Sequence, residues 1–136
     1  MKDVNGNITY KGKNYRLVFN LNVMEAIQDE YGTLERWGDL TDGTKVVRDD
    51  RGDPVLNDDG EIMRVETEPN AKAVKFGFWA MLNEGIEIDN EENGTNEPPL
   101  TLRQVGRMLT EIGMDKATSV LNETVVESTE SERKNE

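Results

Sequence analysis

The chain has 136 residues, 35% hydrophobic and 32% charged, which is enough apolar material for one core in a single domain but too little to bury the whole chain. It contains neither Cys nor His, which removes the usual ligands of zinc, copper, haem and iron–sulfur sites, and the Ser-His and Cys-His pairs behind most hydrolases and transferases. Twenty-eight acidic residues against sixteen basic ones give a formal net charge of -12, which opposes binding to phosphate backbones and anionic lipid.

Met1 to Asn7 has no apolar signal-peptide core, and the longest apolar stretch, near Phe76–Leu82, falls far short of the ~20 residues a bilayer span needs. The expectation is an unexported, cytoplasmic protein that binds neither nucleic acid nor membrane, holds no metal or cofactor, and is not an enzyme.

Residues 8–19 read as a β-hairpin. Ile8 and Tyr10 alternate before the turn Lys11-Gly12-Lys13-Asn14, and Tyr15, Leu17 and Phe19 alternate after it, giving one apolar face. Asn22 and Glu25 have the spacing of a capping box ahead of a helix near 22–31, with Met24, Ile27 and Tyr31 inward and Gly32 closing it. Thr33 caps a further short turn through Leu34 and Trp37, which Gly38 stops.

From Thr41 to Pro69 the composition changes to short β-prone runs divided by the turns Asp42-Gly43, Arg51-Gly52-Asp53-Pro54 and Asp59-Gly60, an insertion of β-hairpins. Asp50-Arg51-Gly52-Asp53 and Asp58-Asp59-Gly60-Glu61 are near-copies, so the insertion reads as a small meander built on a repeated turn. Asn70 opens the most apolar segment, a central helix near 70–84 that carries Trp79 in its core-facing stretch and ends at Gly85. A polar loop, Asp89 to Pro99, follows; then Thr101 and Gln104 make a capping box for a helix near 102–112, Gly113 closes it, and Asp115 caps a last helix near 115–126. Residues 127–136 contain no apolar side chain and are expected to form a disordered acidic tail. The fold class expected is α+β: one domain over 1–126, an N-terminal hairpin packed on about four helices, with the 41–69 insertion set into it.

Candidate chemistry is thin. Asp89, Glu91, Asn93, Gly94 and Glu97 match positions one, three, five, six and nine of an EF-hand loop, but position twelve is Leu100 in place of the bidentate Glu, so a solvated loop is the better reading. Arg51-Gly52-Asp53 is what a tight turn requires before it is an adhesion tripeptide. Trp37, between Arg36 and Gly38, has two readings: packing against the first helix, or an exposed anchor for a partner with neighbouring Leu40. Trp37 and Leu40 are the candidate protein-binding residues.

The segments Tyr15-Arg16-Leu17-Val18-Phe19-Asn20-Leu21-Asn22, Glu30-Tyr31-Gly32-Thr33-Leu34-Glu35, the tryptophan-bearing helix and Leu100-Thr101-Leu102-Arg103-Gln104-Val105-Gly106 occur in this order. Together they resemble the tail assembly chaperones of long-tailed, siphovirus-type phages and gene transfer agents, over about residues 8–40 and 70–126. The resemblance implies a phage or prophage protein that binds tape-measure protein, and tail-tube subunits as a second client, in the bacterial cytoplasm. It also implies absence from the mature virion and a second, longer product made by ribosomal slippage, for which Arg133-Lys134-Asn135 permits a slippery heptamer. Homo-oligomerisation is compatible with it. Two alternatives stay open: a structural tail or connector subunit, and an acidic DNA mimic motivated by the net charge.

Overall fold

The computed structural model describes residues 5–134, with side chains described from 6 to 126. Strands β1 (Asn5–Tyr10) and β2 (Lys13–Val18) form an antiparallel hairpin, followed by α1 (Leu21–Tyr31) and α2 (Leu34–Asp42). Strands β3 (Thr44–Val46) and β4 (Arg64–Glu66) bracket the excursion, and α3 (Ala71–Asn93), α4 (Leu102–Ile112) and α5 (Met114–Lys134) complete an α+β fold.

The hairpin turn is only Lys11-Gly12, both with positive φ (50° and 78°), the signature of the two-residue turn whose twist matches the strands. Its register sets Ile8 opposite Tyr15 and Gly6 opposite Leu17, so the alternating apolar residues share one face. That face meets α5, where Gly6 leaves room for the buried Thr124: a Cβ at residue 6 would stand 2.2 Å from its Oγ1.

Helix α3 is the hub, packed against β2, α1, α2, α4 and α5. Val74, Phe78, Met81 and Leu82 are fully enclosed and meet Leu17, Val23, Ile27, Val105, Met108 and Leu121 in one core. The helix passes straight through Gly85 and ends at Gly94, a correction to the stop expected at Gly85. Gly85 serves close packing: a Cβ there would stand 2.5 Å from the Arg16 carbonyl of β2. Asp89–Asn93 are therefore helical, and the segment after them runs back along α3. Asn83 holds it at the Leu100 backbone in both directions (3.0 and 2.8 Å), Asn90 holds Glu97, and the Trp79 indole N–H donates to the Leu100 carbonyl at 3.0 Å.

Three other boundaries move. Helix α1 is capped by Asn20, whose Oδ1 accepts from Val23 N, two residues before the expected cap. Asn22 instead joins Asn20 in donating to Glu84 Oε1 on α3, at 3.1 and 3.0 Å. Helix α2 continues through Gly38 to Asp42, so the described residues form five helices where about four were expected. Helix α5 starts at Met114, one residue before the cap expected at Asp115, and its backbone runs to Lys134; 135 and 136 of the expected tail lie outside the described residues. Once a packed face has nucleated a helix, each further residue adds a hydrogen bond for one residue fixed, so it propagates into polar sequence. The α4 capping box and its Gly113 terminus stand as read.

The excursion is more regular than a meander. Val55 N donates to Val47 O, Met63 N to Val55 O and Val47 N to Met63 O, at 2.9, 2.9 and 3.0 Å, a closed ring of three hydrogen bonds spaced eight residues apart. The same offset relates the antiparallel pairs Arg48–Pro54, Leu56–Ile62 and Arg64–Val46. Asp49 and Asn57 repeat each other as turn formers, each Oδ1 accepting two backbone N–H groups two and four residues on. The module thus has pseudo-threefold symmetry: two turn lobes and a β3–β4 stem.

Candidate protein-binding surface

The stem joins the body at a neck. Thr67 N donates to Gly43 O and Asn70 N to Leu40 O, both 2.8 Å, so the chain leaves α2 and returns to α3 at nearly one point. A Cβ on Gly43 would press on Thr67 O at 3.0 Å and on the Pro69 ring at 3.1 Å. Arg64 locks the stem to α2 by reaching Asp39 and Thr44 Oγ1 at 3.2 Å. Beside them, desolvation pushes the Asp42 carboxyl above the usual aspartate range, Arg64 opposing and Asp39 adding to the shift.

A cleft of about 600 Å³ lies between α2 and the stem, lined by Leu40, Arg36, Asp39, Lys45, Arg48 and Glu68 among others. Leu40 is half-buried on its wall. Trp37 faces the other way. It is 3% exposed, its indole N–H donates to Ala73 O at 3.0 Å, and its ring fills the slot left by Gly77, where a Cβ would stand 2.5 Å from Cζ2. The exposed-anchor reading of Trp37 is therefore corrected: a short turn ending at Gly38 would have left the indole in solvent, but continuation of α2 lays it on α3. Trp79, expected inside the core, is half-buried against it, in an aromatic row with Phe76 (5.4 Å between centroids) and Tyr31 (5.7 Å from Phe76). Burial, with the neighbouring Glu30 charge second, raises the Tyr31 hydroxyl's pKa.

Among the described residues, the large apolar side chains that reach solvent are Leu56, Ile62, Met63 and Val65 on the module and Leu21, Leu102, Met114 and Val126 on the body. Sequence reading did not single these out. The signal was the near-copied turn: the eight-residue offset, carried beyond the turns, aligns Arg48, Leu56 and Arg64 and shows one apolar residue among three equivalents. Among the described residues no helix is long and apolar enough to cross a membrane. No family model matches the chain, and no curated protein or solved structure was found similar to it. The fold and surface define an α+β body with a β-module carried outside its core.

Proposed function

We propose that the chain is a tail assembly chaperone of a long-tailed phage or prophage, acting in the host cytoplasm to hold tape-measure protein, with tail-tube subunits as a second client. The observation that carries this reading is the division of the molecule. The two stretches that resemble the family, about 8–40 and 70–126, pack into one core around α3, and the intervening module hangs from a neck without interrupting it. The Asn20 and Asn22 of the resembling segment also have a shared task, tying the start of α1 to Glu84. A holding chaperone must display apolar surface while staying dispersed, and a net charge of -12 keeps copies apart through mutual repulsion while Leu21, Leu56 and Ile62 stay exposed.

Co-expression with the tape-measure protein from the same gene neighbourhood tests the proposal. The tape-measure protein is expected to remain soluble and co-elute with this chain, and to aggregate without it. Independent elution would refute the reading. Recovery of the chain in purified virions would move it to the structural-subunit class.

A further inference from the structure

Resting on that reading for the identity of the client, we propose that the Leu56–Ile62 pair on the outer lobe of the module is the anchor for a client segment whose apolar side chains are flanked by Lys or Arg. The module's own symmetry supplies the control. The positions equivalent to Leu56 are Arg48 and Arg64, and each arginine serves the fold, Arg48 donating to Gly52 O and Arg64 to Asp39 and Thr44. The fold therefore accepts a long charged side chain at this position in two lobes of three. Leu56 stands in the third, 57% exposed, directly across the strand pair from Ile62 at 53%. Opposite residues of an antiparallel pair present their side chains on one face, so the two form a single apolar patch.

Charge selects the occupant. Residues 55–62 contain Asp58, Asp59 and Glu61 and no Lys or Arg, so the lobe that carries the patch is acidic. A second copy would bring the same acidic lobe against itself in a two-fold contact, and each chain carries -12 overall. A heterologous segment with basic flanks removes that repulsion and covers the leucine and isoleucine.

The test compares the full-length chain with Leu56→Arg, a substitution the two equivalent arginines show to be sterically acceptable, in titrations against the tape-measure protein. A thermal melt matching the parent verifies the fold, and Ile62→Thr serves as a second variant if Leu56→Arg melts early. Binding at least tenfold weaker in the variant, and weaker for the parent in high salt, is the expected result. Equal binding by parent and variant overturns the anchor and leaves the chaperone reading standing. If the parent does not bind tape-measure protein at all, that reading fails. The anchor is then decided by panning a random peptide library on the parent with counter-selection on Leu56→Arg. Enrichment of basic, apolar peptides supports it, and no enrichment, or enrichment of peptides indifferent to the substitution, overturns it.

Discussion

Trp37 shows how far a residue's role depends on what its helix does next. With its ring enclosed against Gly77 and its N–H bonded to Ala73 O, Trp37→Ala is expected to cost about 3–5 kcal/mol by cavity formation. Gly77→Ala should cost about 1–3 kcal/mol by overpacking the same contact. Chemical denaturation measures both, and a Trp37→Ala variant of unchanged stability would contradict the burial. Leu40→Ala, on the cleft wall, should lower stability far less. Asp42 carries a pH signature. Its folded pKa is raised, chiefly by desolvation, so the folded state holds the proton more tightly than the unfolded chain, and ionisation penalises folding as pH climbs through and above the ordinary aspartate value of about 4. Asp42→Asn should therefore stabilise the protein at pH 7, with the gain shrinking by pH 3.5, as urea melts at the two values would show. In the sequence, packing of Trp37 against the first helix was one of two readings; its seat on α3 was not legible, because it depends on a slot cut into a helix that begins more than thirty residues later.

At the scale of elements, the capping chemistry was legible at the threonines and displaced at α1 and α5, and the glycines were ambiguous. Thr33 and Thr101 cap where the sequence places them, since a hydroxyl followed three residues later by a free backbone N–H is a local relation. Gly38 and Gly85 look like helix stops, yet both lie inside helices. At Gly85 the missing side chain is used by the Arg16 carbonyl, a contact that no local pattern announces. At Gly38 a Cβ would meet nothing within 4 Å, and its φ is not positive. Gly38→Ala is therefore expected to raise stability by about 0.5–1 kcal/mol, through reduced backbone freedom in the unfolded chain. A fall in the denaturation midpoint would mean that α2 needs the flexibility. The insertion was legible as β-structure and as a repeated turn. Its ring closure was not, because the third member of the repeat, Met63-Arg64, is not followed by the Asp-x-Gly turn that marks the other two.

For the molecule as a whole, the neck predicts that the module can be removed. Joining Gly43 to Thr67 through two glycines deletes the near-buried Val46, worth about 1.5–3 kcal/mol, and a surface ion pair worth up to about 1 kcal/mol. Shortening the loop roughly tenfold returns about 2 kcal/mol of closure entropy. The body should keep a cooperative melt within about 2 kcal/mol of the parent, measured by circular dichroism, while losing affinity for any client held by the outer lobe. Loss of cooperativity would show that the module is part of the core. The same neck also bears on the order of events in folding. If the ring of Val47, Val55 and Met63 forms first, it brings Gly43 and Thr67 together and turns the docking of α2 on α3 from a long loop closure into a short one. Gly60, at φ 80°, sits in an outer turn of that ring; Gly60→Val, which disfavours the turn, should slow refolding in stopped-flow measurements and leave the unfolding rate of the body nearly unchanged. A segment outside the main core would then set the pace at which that core assembles.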